Sequence, residues 1–287
     1  MTGLDLYTRV CRETSAAVIA GYSTSFSLAS RLLPSRIRGD IRTVYALVRI
    51  ADEIVDGPGA EAGLGQRECG ARLDALEGEV AVAIAEGFSQ NPIVHAFAET
   101  AARVDIDETL TKPFFASMRR DLEPVSFTDE EELRAYVYGS AEVVGLMCIR
   151  CFTSGARVSP ADADRIETGA RALGNAFQLV NFLRDLGADG QGLGRSYLPG
   201  VDPASPDALA VRDVLDTIES ELRVARAAIP MLPRRVRPAV LAAHDLFAEL
   251  AARIRKVPAP QLPKRRLSVP RHRKATIAIA ASRGLVR

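Results

Sequence analysis

Cysteine is scarce in this chain: four residues, Cys11, Cys69, Cys148 and Cys151, among 287. That number excludes a disulfide framework. Cys148 and Cys151 form a CxxC pair, but in an apolar helical run with no second pair and no βαβ surroundings, so buried small side chains are expected rather than a redox or zinc centre. His95, His244 and His272 are too scattered for a metal site or a catalytic triad, and packing or surface positions are expected of them. No stretch approaches the roughly 18 consecutive apolar residues that span a bilayer. No charged-then-apolar leader opens the sequence, so the expected location is the cytoplasm, peripheral at a membrane if a membrane is met at all. The GxxxxGK[ST] and GxGxxG loops are missing, which removes the common nucleotide-binding devices. "DLGADGQGLGRS" lacks the alternating oxygen ligands and terminal Glu of an EF-hand, which excludes a calcium loop.

Strand-like alternation is nearly absent too, and what replaces it is helical spacing of apolar residues in long segments broken by Pro, Gly and Asp/Ser clusters. The chain reads as all-α, with helices over roughly 5–20, 35–56, 66–87, 92–103, 107–120, 129–152, 160–189, 206–229, 234–256 and 271–282. Thr128 with Glu131 fits a capping box, and Ser159 before Pro160 sets a cap ahead of a residue suited to the first helical turn. No internal repeat or second-domain boundary is visible, so one domain over 1–287 is expected, ending in a basic, proline-rich connector and a last helix at about 257–287. The net charge of +1 is an average of unlike parts. Residues 251–287 hold eleven Lys/Arg and no Asp/Glu, which leaves 26 cations against 36 anions, or −10, for residues 1–250.

The acids are patterned. In "VRIADEIVDG", Asp52 and Asp56 share a helix face with Tyr45 and Arg49, at offsets of 0, 4, 7 and 11 from Tyr45. A lone DxxxD is usually a solvated stripe with local Arg–Asp pairs. Here the device is repeated in "QLVNFLRDLGADGQGLGRSYLP", where Gln178, Asn181, Asp185 and Asp189 stand at offsets 0, 3, 7 and 11 on an otherwise apolar helix. Such a stripe faces a cavity. Buried carboxylates need cations, and oxygen ligands without a His or Cys cluster favour Mg²⁺, which completes its shell with water and substrate phosphate. Arg49, Arg184 and Arg195 are guanidinium donors suited to phosphate oxygens.

The chain resembles the squalene/phytoene synthase family, the head-to-head isoprenyl synthases, and within it the bacterial phytoene synthases most. Six ordered motifs carry the resemblance over nearly the whole length: "YSTSFSLASRLLP", "YALVRIADEIVD", "MRRDLE", "YVYGSAEVVGLM", "QLVNFLRDLGAD" and "GRSYLP". It implies an all-α isoprenoid synthase fold around a central cavity. It implies two metal motifs, Asp52 with Asp56, and Asp185 and Asp189 with Asn181 and Gln178, binding Mg²⁺ with Mn²⁺ as a substitute. Ser23, Ser25, Tyr45, Arg49, Arg184, Arg195 and Tyr197 fall where the family contacts diphosphate or orders the site, and Phe26, Val144 and Gly145 where it lines the prenyl cavity. The implied reaction joins two geranylgeranyl diphosphates through prephytoene diphosphate to phytoene, without NADPH, in carotenoid biosynthesis. Two departures stand out: DEIVD where DDIVD is commoner, and Glu142 where the family usually has a small residue, a carboxylate being harder to place against a prenyl chain.

Three other readings remain open on the residues. Squalene or dehydrosqualene synthesis from farnesyl diphosphate would share the chemistry. A catalytically silent helical scaffold would have no need of four intact aspartates. The basic run "PKRRLSVPRHRK" suggests peripheral contact with anionic lipid, or packing onto the acidic body. Nucleic acid is disfavoured by the −10 of the body and by the lack of stacking aromatics around the arginines. The next enzyme of the pathway is a further partner to expect.

Overall fold

Thirteen α-helices are formed among the residues that the computed structural model describes, 2–192 and 194–284. They are α1 (Gly3–Tyr22), α2 (Thr24–Ser30), α3 (Ser35–Val55), α4 (Pro58–Glu61), α5 (Gln66–Glu86), α6 (Pro92–Val104) and α7 (Glu108–Arg120) in the first half. The second half has α8 (Glu130–Val137), α9 (Val143–Thr153), α10 (Pro160–Gly192), α11 (Ala208–Ala228), α12 (Arg237–Ile254) and α13 (Arg271–Ser282). No strand forms among these residues; the one extended pairing is an isolated bridge between Ser126 and Ser196.

Local chemistry sets the helix ends. Asn91 accepts from the Ile93 and Val94 amides ahead of Pro92, whose fixed φ suits the first helical position. Ser159 accepts from the Asp162 amide at 3.1 Å, so the cap expected at α10 forms. The cap expected from Thr128 with Glu131 falls one residue later. Asp129, whose carboxylate is the stronger acceptor for two amides, takes those of Glu131 and Glu132 at 2.9 Å each.

The helix expected over 129–152 is interrupted. Between α8 and α9 the backbone widens into a π turn over Tyr138–Glu142, the kind of one-residue excess often seen beside functional sites. Gly139 sits in it because α7 crosses there: a Cβ would stand 2.2 Å from the Pro113 carbonyl oxygen. By length and composition the run Glu130–Thr153 could cross a bilayer; in the fold it lies between α7 and α10. The expectation missed α2 and α4 altogether, since seven and four residues carry too little periodicity.

Three apolar clusters hold the helices together. One joins α3, α5, α6, α7 and α9 around Phe97, Phe114 and Phe115. A second joins α8, α10, α11 and α12 around Leu183, Ile218 and Ile254. A third closes one end, where Leu33 and Ile37 meet Leu232, Val236 and Ala239. Within the first half, Asp40 is 1% exposed and is neutralised by Arg12 at 2.5 Å and Arg103 at 2.6 Å, the pairing a buried carboxylate requires. Between the halves lies a cavity of about 1010 Å³.

Candidate active site

Tyr45, Arg49, Asp52 and Asp56 do share one face of α3, and that face lines the cavity. Gln178, Asn181, Asp185 and Asp189 line it from α10. The other residues that the resemblance placed at the site, Ser23, Ser25, Phe26, Val144, Gly145, Arg184, Arg195 and Tyr197, line the same cavity. The acids lie towards the C-terminal ends of their helices, where unpaired carbonyls already carry partial negative charge. Burial, and then Asp56, push the Asp52 carboxyl up to about 8; burial, and then Asp185, push Asp189 up to about 7. Carboxylates paired in this way, Asp52 with Asp56 and Asp185 with Asp189, favour nearby cations.

In this state arginines meet that demand. Arg49 pairs with Glu53, lies 3.8 Å from Asp52 and sits over the Tyr22 ring at 4.5 Å. Arg184 pairs with Asp185. Arg195 is 5% exposed and donates to Asp56 at 2.6 Å, to the Val55 carbonyl at 3.0 Å and to the Asp121 carbonyl at 2.7 Å. The chain reaches that position because Gly194 takes a left-handed turn, φ +64°, just after α10, and because the Ser196 amide donates to the Val125 carbonyl.

Four residues given no individual role in the sequence reading belong to the site. Asp121, 7% exposed, accepts from Tyr136 at 2.6 Å and from Tyr197 at 2.8 Å. Burial raises its carboxyl to about 6 even with these two donors. Its signal was present in "MRRDLE", and that of Tyr136 in "YVYGSAEVVGLM". Arg266 and Lys274 had no local signal. The connector folds back so that Arg266 reaches Asp185 at 2.8 Å and Lys274 donates to the Thr24 hydroxyl at 2.7 Å. A Cβ on Gly187 would stand 2.0 Å from the Pro263 carbonyl oxygen, so that glycine lets the connector approach α10. This much of the basic tail packs on the acidic body, as does Arg273 on Glu249.

The rest of the cavity is apolar and aromatic. Phe26 lies 5.8 Å from Phe177 and 5.7 Å from Phe247, which stack on each other at 3.7 Å. Glu142 takes no space from it: the side chain turns to Arg171 at 2.8 Å and is not part of the lining. The cysteines are free, Cys148 lines the cavity with its thiol pushed by burial to about 12, and none is suited to redox chemistry. His95 packs against Tyr7 and Phe88, and His244 bonds Asp245 and the Leu222 carbonyl.

The donor set fits a hard divalent cation. The Asn181 side-chain oxygen is a buried acceptor without a partner, on the same stripe as Asp185 and Asp189. Among the described residues no three His, Cys, Asp or Glu side chains close around one point. The acids would therefore hold an ion only together with other oxygens, the coordination Mg²⁺ favours when it binds with a phosphate-bearing substrate.

Comparison with known proteins agrees with the geometry. The family model for squalene/phytoene synthase matches residues 19–273. A 15-cis-phytoene synthase of Paracoccus sp. is 31% identical over 260 residues, covering 85% of this chain and 82% of that protein. Phytoene synthase 3 of Zea mays is 35% identical over 72% of this chain, which spans only 45% of the maize protein's length. A crystal structure of a dehydrosqualene synthase superposes with a TM-score of 0.78 over 97% of both chains at 24% identity, and shows the same all-α isoprenoid synthase fold.

Proposed function

The chain belongs to the squalene/phytoene synthase family, and from that premise we propose that it is a phytoene synthase, a prenyltransferase acting on geranylgeranyl diphosphate. The observation that carries the reading is the pair of acid-bearing helix ends, on α3 and α10, at one apolar and aromatic cavity. Two geranylgeranyl diphosphates would lose one diphosphate and one proton to form prephytoene diphosphate. This would lose the second diphosphate and a further proton to form phytoene. No electrons are exchanged, so no nicotinamide is needed.

Each stage begins by breaking a C–O bond, which leaves an allylic or cyclopropylcarbinyl cation and a highly charged anion. Asp52, Asp56, Asp185, Asp189 and Asn181 would hold Mg²⁺, or Mn²⁺ in its place, which when bound supplies positive charge for the departing diphosphate. Arg184 and Arg195, whose partners Asp185 and Asp56 would then be holding cations, would donate to its oxygens, together with Arg49, which is paired with Glu53 beside Asp52. Ser23 caps α2, accepting from the Phe26 amide at 3.1 Å, and so fixes Phe26 against Tyr45, Phe177 and Phe247. Those ring faces are suited to a passing carbocation, and the apolar walls, Val144 and Gly145 among them, keep water from it. Tyr136 and Tyr197, both anchored on Asp121, order the polar end.

The test is product analysis of purified protein with Mg²⁺ and either geranylgeranyl or farnesyl diphosphate, each with and without NADPH. Phytoene from the former, independent of NADPH and abolished by EDTA, is expected. A thirty-carbon product made from farnesyl diphosphate alone would move the substrate assignment, and no product from either would refute the reading. Asp52→Asn and Asp185→Asn should each remove most turnover in a folded protein; wild-type turnover in both would refute the metal-site assignment.

A further inference from the structure

The end of the cavity away from the acids carries charges that this chemistry does not use. Helix α3 starts at Ser35 and brings Asp52 to the polar end, about 24 Å along the axis from Arg36. Helix α10 lines the cavity from Ile166 to Asp189, about 35 Å apart. Helix α2 begins beside Lys274 and ends at Ser30, and α12 starts at Arg237 and brings Phe247 to Phe26. The connections 31–34, 154–159 and 232–236 therefore meet at the far end. Their apolar side chains form the third cluster, and Leu33, Leu232 and Ala239 of that cluster also line the cavity. Arg235 donates to the Ser154 carbonyl at 3.0 Å and so ties two of the connections together.

Arg31, Arg36, Arg157, Arg234 and Arg235 are all exposed on these connections or beside them, and among the described residues none of them forms an ion pair. Behind them the Arg42 Nε is buried without a partner. Burial, and then the like charges of Arg38 and Arg31, weaken its hold on its proton. The acids nearby are few. Asp40 is committed to Arg12 and Arg103, Asp162 accepts from Ser159, and Asp164 and Glu167 are exposed at the start of α10. The C-terminal tail differs in place: Arg266, Arg273 and Lys274 are spent on Asp185, Glu249 and Thr24, and the exposed Lys264 and Arg265 follow Pro263, which packs on Gly187 beside Asp185 at the acidic end.

We propose that this far-end face, centred on Arg31, Arg36, Arg234 and Arg235, seats the protein on an anionic lipid surface. Arginines held within a Debye length of an anionic leaflet are attracted additively. Half-buried Leu32, Val158 and Met231 lie among them and offer apolar contact at the headgroup boundary. The three connections hold no aromatic side chain on which a nucleic-acid base could stack. In this orientation the acidic end faces water, where diphosphates come and go, and the apolar end faces the bilayer. The docking face stands apart from the phytoene reading, which supplies only the nature of the product.

The test is co-sedimentation of the full chain, without substrate, with vesicles of phosphatidylcholine alone or mixed with phosphatidylglycerol. The parent should bind the mixed vesicles and be released by salt. The combined variant Arg31→Gln, Arg36→Gln, Arg234→Gln and Arg235→Gln should lose binding by at least about tenfold. Its turnover in detergent should be kept, and the four corresponding Arg→Lys changes should retain binding. Lys264→Gln with Arg265→Gln and Arg271→Gln should bind within about twofold of the parent. Undiminished binding of the four-Gln variant overturns the proposal. So does an equal loss from the tail variant, equal binding to pure phosphatidylcholine, or equal affinity for single-stranded RNA at the same salt. Because no substrate is present, failure here is distinct from failure of the catalytic reading.

Discussion

Replacing Asp52 by Asn is expected to raise the stability of the metal-free protein at pH 8, and to raise it by less than half as much at pH 5. The Asp52 carboxyl is pushed up to about 8 by burial and by Asp56, from 3.8 in an unfolded chain. Between those values the folded protein binds a proton that the unfolded chain does not, so stability falls as pH rises from about 4 to about 8. A raised carboxyl thus contributes stability at low pH that is gone above its folded value. Four units at about 1.36 kcal/mol each give an upper bound of about 5 kcal/mol. The side chain is still 29% exposed, and water screening at that position leaves about 2 kcal/mol. A neutral isostere escapes this cost, and at about 2–4 °C per kcal/mol the melting temperature should rise by about 4–8 °C. The assay is differential scanning calorimetry of both proteins in EDTA at pH 8 and pH 5. An unchanged or lower melting temperature at pH 8, or a gain that does not shrink at pH 5, would refute the crowding argument.

Other substitutions test separate parts of the site. Gly139→Ala forces a Cβ to within 2.2 Å of Pro113 and Ser117 on α7 and should cost about 2–3 kcal/mol in urea unfolding with an unchanged m-value. Gly187→Ala, which meets the Pro263 carbonyl oxygen at 2.0 Å, should lift the connector and its Arg266 from Asp185, raising KM severalfold while kcat changes less. Asp121→Asn obliges one of two phenol hydroxyls to reverse or go unpaired; a loss of about 1–3 kcal/mol is expected in thermal unfolding, with reduced kcat. Glu142→Ala should leave product length unchanged in the product assay and cost about 0–1 kcal/mol, since it removes only the pair with Arg171.

Much of the site was legible because it lies on two helices, where a spacing of three, four and seven residues determines which side chains share a face. Asp52 with Asp56, and Asn181 with Asp185 and Asp189, needed no tertiary information to be grouped. Asp121 could not be grouped in the same way: its partners Tyr136 and Tyr197 lie 15 and 76 residues away in sequence, and only packing brings them to it. Arg266 and Lys274 were hidden for the same reason, a basic run read from sequence having no indication of which of its cations turn inward. Charge had the same limit. The tail held the conspicuous surplus, yet the far-end arginines, exposed and without ion pairs, come from connections 31–34, 154–159 and 232–236 and the start of α3, far apart in sequence. Residues near helix ends were the least certain, as the cap at Asp129 rather than Thr128 illustrates, because neighbouring residues competed for the same amides.

The π turn at Tyr138–Glu142 makes one stretch of the chain tolerant of a change in length in one direction only. Tyr136, bonded to Asp121, lies on one side of it and Val144 and Gly145 on the other, with Gly145 close against the Ala170 carbonyl. Removing one residue within the turn would let the backbone close to a regular α-helix with the flanking faces still in register, whereas adding one would turn everything beyond by about 100° and swing one of these contacts out of the cavity. Insertions should therefore be inherited in the connections, such as Ala62–Gly65 between α4 and α5, and be purged here. An insertion library scored for folding would place its insertion-free interval over Tyr136–Gly145.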